Sequence, residues 1–385
     1  MTGNRLMIFA CFATTVRGLE PLLAEELMLL GAQEINIVNA GLEFNASFNN
    51  IMKMNLHSRL ASRIMIRLGY SGYRHEDDIY RLARKINWLD WFHSGNSIKV
   101  ATSAIQSPLK SLDFVTLKVK DAICDYFNEK VDSRPDVDKL EPDMRIYTFL
   151  TVDTVIIYLD TSGETLFKRG YRRLKLEAPI RENLASGLIQ LSGWTPDQPF
   201  YDPMCGSGTL LVEAISRGLN IAPGLNRNFA FEKMVNFDDN LYSNMQNEAK
   251  KSELRDRKLQ IYGSDINGKA IEIAKQNFQQ IKLDDYVKFS HGDFLSKEAP
   301  ANHGVLVTNP PYGIRLDEQE RLAELYPQIG NKLKKSYANW NCYFFTADLR
   351  LPKLIRLKPS RKTPVYNGAL ECRLYEFKIV SGSNR

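Results

Sequence analysis

The sequence predicts the α/β class: an open, mostly parallel sheet in the C-terminal part, preceded by a smaller α+β region. Three observations carry this. The apolar run Val305-Leu306-Val307 reads as a strand buried on both faces and breaks off in Asn309-Pro310-Pro311-Tyr312-Gly313. A short strand ending in Asp202 runs through Gly206-Ser207-Gly208 into a helix at Leu210 to Arg217. Ahead of about residue 162, short strands of alternating pattern are interleaved with amphipathic helices.

The chain's 385 residues exceed one typical domain. With 44% hydrophobic and 25% charged residues it has an ordinary globular composition, and no apolar run reaches membrane length. The stretch Leu6 to Ala13 lacks a small-residue cleavage pattern and reads as a first strand rather than a signal peptide. Cys11, Cys124, Cys205, Cys342 and Cys372 form no C-x-x-C pair, which argues against a zinc site or any other metal and against a disulfide framework, and fits the cytoplasm. The net charge of +6 allows a nucleic-acid partner without requiring one.

From the N-terminus, Arg17-Gly18-Leu19-Glu20-Pro21 leads into a helix that runs to about Leu30 and stops at Gly31, with Leu22, Leu23, Leu27 and Leu30 as its buried stripe. Strands at Glu34 to Val38 and Gly41 to Phe48 follow, joined by Asn39-Ala40-Gly41. The pattern then predicts a helix over Asn50 to Ser62, a strand over Arg63 to Leu68 and a helix over Asp78 to Ile86. A strand at Ser97 to Thr102, a helix at Asp113 to Asn128 and a hairpin of Arg145 to Thr151 with Val155 to Leu159 complete the region. This order, with the run Leu56-His57-Ser58-Arg59-Leu60-Ala61-Ser62-Arg63, resembles the ferredoxin-like plus THUMP arrangement of RNA-modifying enzymes. The resemblance implies an RNA-binding module; a dimerisation module of the same fold is the alternative.

Residues 165–175 carry five cations and no acid, with Phe167 and Tyr171 among them. Phosphates take cations and unpaired bases take flat faces, so Lys168, Arg169, Tyr171, Arg172 and Arg173 are candidate RNA contacts; a plain solvated face is the competing reading. The segment from Arg169 through Ala185 resembles the stretch that precedes the catalytic domain in bacterial large-subunit ribosomal RNA guanine-N2 methyltransferases.

Asp202-Pro203-Met204-Cys205-Gly206-Ser207-Gly208-Thr209 carries no third glycine of a dinucleotide fingerprint and no G-K-[ST]. Its acid would repel a pyrophosphate but suits a cationic ligand. It resembles motif I of class I methyltransferases, which implies S-adenosylmethionine as the cofactor. Asp265 ends the next strand, where a carboxylate can hold both ribose hydroxyls, with Ile266 beside it. Asp293 and Phe294 follow a third strand, placed to accept from an adenine amino group and cover its ring. Cys205 reads as a small loop residue, not a nucleophile, and His291 and His303 stand in no constellation.

Asn309-Pro310-Pro311-Tyr312 resembles the (N/D)PP(Y/F/W) motif of amino-methyltransferases. The diproline cannot continue a ladder, so it holds the Asn309 amide and the Pro310 carbonyl as two acceptors at a strand end, with Tyr312 as a stacking ring and Asn309 also near the cofactor. The material between Ile221 and Lys258 resembles an insert of the guanine-N2 family and can be a substrate-side flap or a decoration. The tail, with Tyr366-Asn367-Gly368 and Cys372, resembles the same family.

Together these imply a ferredoxin-like domain at residues 1–62, a THUMP-like RNA-binding domain at 63–162 and a Rossmann-like class I methyltransferase domain at 163–385. They imply an enzyme that methylates the exocyclic N2 amine of a guanosine, with large-subunit ribosomal RNA as substrate. An adenine-N6 DNA enzyme, a transfer-RNA guanine-N2 enzyme and a catalytically silent RNA binder are the alternatives.

Overall fold

A computed structural model of the chain describes residues 7–171, 180–311 and 316–380, except the side chains of 316–319. The chain divides into two compact units, each built from more than one stretch.

The first unit comprises Met1–Thr15, Leu23–Leu166 and Asn226–Glu248. Its strands are β1 (Ile8–Thr14), β2 (Gln33–Val38), β3 (Gly41–Ser47), β4 (Arg63–Gly72), β5 (Ile98–Ala104), β6 (Met144–Leu150) and β7 (Thr154–Asp160). They form one sheet in the order β2-β3-β1-β4-β7-β6-β5, so hydrogen bonding runs straight through the expected boundary at residues 62–63. Helices α1 (Glu20–Leu29), α2 (Phe48–His57), α3 (Glu76–Lys85) and α4 (Leu112–Val131) fill the connections.

Helix α2 stops five residues short of the expected Ser62. The buried Glu26 carboxylate explains this: it accepts from the amides of Arg59 at 3.0 Å and Leu60 at 3.3 Å, and from the Ser58 hydroxyl. Those donors point at a side chain and leave the helix ladder. Burial raises the Glu26 pKa, while the Ser58 and backbone donors oppose the rise. At the other side of the unit Arg63 pairs with the fully buried Asp160 and donates to the Gly163 carbonyl at 2.6 Å.

The insert departs most from expectation. Its middle part, Asn226–Glu248, belongs to the first unit. Phe231 N–H donates to the Thr161 carbonyl at 3.0 Å and Val235 N–H to that of Trp91 at 2.9 Å. The Arg227 guanidinium donates to the carbonyls of Glu164 at 2.6 Å and Thr165 at 2.7 Å. Phe229, Phe231, Phe237 and Tyr242 pack edge and face against one another, the last on helix α5 (Asp239–Lys251). Such aromatic packing makes the segment a piece of core rather than a flap.

The second unit comprises Val16–Leu22, Phe167–Leu225 and Ala249–Arg385. Helix α6 (Glu182–Leu191) precedes the sheet; α7 (Thr209–Gly218) and α8 (Gly268–Gln280) follow the first two strands. The strands are β8 (Phe200–Asp202), β9 (Ile261–Asp265), β10 (Val287–His291), β11 (Gly304–Thr308), β12 (Trp340–Thr346), β13 (Arg361–Asn367) and β14 (Leu370–Lys378), in the order β10-β9-β8-β11-β12-β14-β13. The first five are parallel, and β14 runs antiparallel to both β12 and β13. Strand order reverses at β8 and β11, and the crevice at their carboxyl ends is where such sheets bind ligands.

Helix α9 (Leu316–Ser336) supplies Tyr326, Ile329 and Leu333 to a buried core with Leu306, Trp340 and Phe344. Pro364 to Asn367 lie in β13. An edge strand tolerates Pro364 because its missing N–H leaves no inner ladder bond open. Past β12 the chain makes a single helical turn, α10 (Leu351–Leu354).

Candidate active site

The site is built where β8, β9, β10 and β11 end. Past Asp202 the chain turns through Pro203 to Gly208 and enters α7. Gly206 has a φ of 53°, and its N–H donates to Asp265 Oδ2 at 2.9 Å. Gly208 has a φ of 87°, and a Cβ there would sit 2.7 Å from the Phe278 ring. Both glycines are therefore required by the backbone. Ser207 and Thr209 are nearly buried beside them. Cys205 donates its N–H to the Ser264 carbonyl at 2.9 Å, and burial pushes its thiol well up, the wrong direction for a nucleophile.

Asp202 is 2% exposed. Its Oδ1 accepts from the Met204 N–H at 3.1 Å and from the Thr308 hydroxyl at 2.9 Å. Thr308 is a residue that sequence reasoning missed; its one sign was a lone hydroxyl between an apolar strand and Asn309. It ties the acid of the first strand to the strand that carries the diproline. The buried pair Tyr201 Oη and Ser264 Oγ, 2.7 Å apart, was missed too; it braces β8 against β9.

Burial raises the Asp202 carboxyl from 3.8 to about 7, against the pull of the Met204 and Thr308 donors. A cationic ligand binds the ionised form. Below about pH 7 that binding must expel a proton, so affinity falls as pH drops, approaching tenfold per pH unit. Calorimetric titration with S-adenosylmethionine between pH 5.5 and 8.5 is expected to show this slope, and Asp202→Asn to flatten it. Without ligand the sign is opposite. A carboxyl raised above its unfolded value contributes its full stability below about pH 4 and loses it as pH climbs through about 7.

Asp265 is half-buried, and its Oδ1 accepts from the Asn267 N–H at 2.8 Å. Ile266 is 69% exposed, an apolar side chain free to cover a flat ring. His291 holds that tip through Nε2, 3.0 Å from the Ile266 carbonyl. Asp293 Oδ1 accepts from the Leu295 N–H at 3.0 Å, and its Oδ2 accepts no hydrogen bond among the described residues. Phe294 is turned into the core, 4% exposed, with its ring 5.3 Å from that of Tyr337.

At the end of β11, Asn309 is half-buried, Pro310 buried and Pro311 exposed. The Asn309 Oδ1 atom is buried and accepts no hydrogen bond among the described residues. An unsatisfied buried acceptor costs about 1–3 kcal/mol and invites a donor from outside the chain. Tyr312 lies outside the described residues.

The basic junction divides. Lys168 is exposed. Arg169 is not available to RNA: it is 7% exposed, and its Nε donates to Oε1 of the buried Glu213 on α7 at 3.1 Å. Tyr171 donates its hydroxyl to the same carboxylate at 3.3 Å. These two side chains lock the junction onto the helix behind the glycine loop. Arg172 and Arg173 lie outside the described residues.

The glycine cradle, the two strand-tip carboxylates and the exposed Ile266 suit an adenosine bearing a cationic amino-acid arm. The open Asn309 acceptor suits an amine. Comparison with known proteins agrees. A model of the RMKL-like methyltransferase domain matches residues 169–376, a THUMP-domain model residues 73–160, and a model of the RlmL ferredoxin-like domain residues 10–65. A Synechocystis protein named "Putative RNA methyltransferase slr0064" is 36% identical over 369 residues, 96% of each chain. "Ribosomal RNA large subunit methyltransferase K/L" of Photobacterium profundum is 37% identical over 377 residues, 96% of this chain but 53% of its own length. Among solved structures, SMU.472 in complex with SAH superposes with a TM-score of 0.89 at 33% identity, covering 97% of this chain and 98% of its own.

Proposed function

The chain belongs to the RMKL-like methyltransferase family, and on that premise we propose that it methylates the exocyclic N2 amine of a guanosine in large-subunit ribosomal RNA, in the cytoplasm. The observation that carries the reading is the buried Asn309 Oδ1, without a partner among the described residues, at the switch point of the sheet.

S-adenosylmethionine is the cofactor; bound, it supplies an electrophilic methyl on a sulfonium centre. Gly206, Ser207 and Gly208 would hold its amino-acid arm, Asp265 its ribose hydroxyls, and Asp293 with Ile266 its adenine. The remaining work falls to the chain. A target base leaves its stack to reach the crevice. Asn309 Oδ1 and the Pro310 carbonyl each accept an N–H of the amine, which aims the nitrogen lone pair. The same two oxygens stabilise the positive charge that develops on that nitrogen. Tyr312 would cover the base plane. The stiff Pro310-Pro311 corner and the Thr308–Asp202 bond fix these acceptors in advance, so little reorganisation is needed at the moment of reaction.

The test is nucleoside mass spectrometry of ribosomal RNA, transfer RNA and DNA from a deletion strain. N2-methylguanosine should fall in large-subunit ribosomal RNA alone. Loss confined to transfer RNA would move the substrate, and loss of N6-methyladenine from DNA would overturn the guanine assignment.

A further inference from the structure

The N-terminal segment Val16–Leu22 counts with the second unit, and it builds a feature there that the chemistry above does not use. The Tyr366 N–H donates to the Arg17 carbonyl at 3.0 Å, so the segment pairs with the edge strand β13. Gly18, at a φ of 94°, lies so close that a Cβ would stand 2.4 Å from the Pro364 carbonyl oxygen. Leu19 is fully buried against Gly187 of α6. This rigid seat places the Arg17 guanidinium over the Tyr366 ring, with Cζ 3.8 Å from its centroid.

Arg17 is exposed and makes no ion pair or side-chain hydrogen bond among the described residues. A guanidinium held over a ring keeps N–H groups, which lie in the guanidinium's own plane, open to take a phosphate in bidentate fashion. Strand register places this pair at the catalytic end of the sheet. Thr308 is level with Phe344, Phe344 with Tyr375, and Tyr375 with Lys362. Tyr366 thus stands four residues beyond Thr308 along the strand direction and three strands across, about 13 Å and 14 Å respectively. That is the reach of a few nucleotides.

We propose that the Arg17–Tyr366 pair is a backbone-binding point that clamps one phosphate of the substrate strand a few nucleotides from the target base. The proposal rests on the RNA reading above. A structural clip alone would hold the segment but would bind no phosphate.

The experiment measures the Kd for a labelled single-stranded oligouridine and for unmodified large-subunit ribosomal RNA between 50 and 200 mM KCl. Arg17→Gln is expected to weaken both several-fold and to flatten the log Kd against log salt plot by about 0.7, the share of one phosphate on a single strand. Affinity for S-adenosylmethionine should not move. Arg17→Lys, which keeps the charge but loses the paired N–H edges, should keep the wild-type slope and still bind RNA more weakly. A wild-type slope in Arg17→Gln, or wild-type affinity in Arg17→Lys, overturns the clamp. If the unaltered protein binds neither RNA, the RNA reading itself fails instead.

Discussion

Asn309→Ala is expected to lower kcat at least about a thousandfold, roughly 4 kcal/mol, while the Kd for S-adenosylmethionine changes by less than about tenfold. The reason is the state of the Oδ1 atom. It is buried, it points at no donor of its own chain among the described residues, and it belongs to the residue directly between strand β11 and a diproline. An acceptor with an internal partner would lose that bond on substitution and take stability with it; this one has none to lose. Thermal unfolding of Asn309→Ala should therefore match the parent within about 1 kcal/mol or exceed it, since a buried unsatisfied group has been removed. Single-turnover methylation and calorimetry separate the two effects. Equal losses in methyl transfer and in cofactor affinity would mean that the amide serves the cofactor and not the amine.

Glu213→Ala should be the most destabilising single change near the site, by about 3–5 kcal/mol. It takes a buried carboxylate partner from the Arg169 guanidinium, which is 7% exposed, and an acceptor from the Tyr171 hydroxyl as well. Breaking one partner of a buried pair is costly because the other keeps its charge without water. Replacing both, as in Arg169→Met with Glu213→Leu, should restore most of the loss, since apolar groups of similar volume need no partner. Urea unfolding of the two single variants and the double reads this directly. Were Arg169 an RNA contact, Arg169→Ala would leave unfolding untouched and weaken only RNA binding.

The parts of the site that could be read from sequence are those where the backbone itself restricts the residue. Asn309-Pro310-Pro311 and Gly206-Ser207-Gly208 announce a stiff corner and a close approach, and both lie at the switch point of the sheet. Partnership across the chain left no such mark. Glu213 lies 44 residues from Arg169 and Thr308 lies 106 residues from Asp202. In a run of cations the one that will be buried looks like those that stay wet. Strand β13 hid behind Pro364 and Gly368, which signal a loop until the strand is known to be an edge. Strands β1 and β4, on either side of residue 62, share a ladder, and the sequence did not announce it, because a strand's own pattern does not say which neighbour it will take.

The interleaved division of the chain bears on how it is made. Synthesis is vectorial, and the first unit lacks Asn226–Glu248 until about sixty residues of the second have followed Leu166 out of the ribosome. At about 5–20 residues per second, the nascent N-terminal half waits several seconds with the Thr161 and Trp91 carbonyls uncovered and no aromatic cluster beside them. A messenger stopped at residue 166 would leave that half permanently unfinished, prone to aggregate and dependent on chaperones.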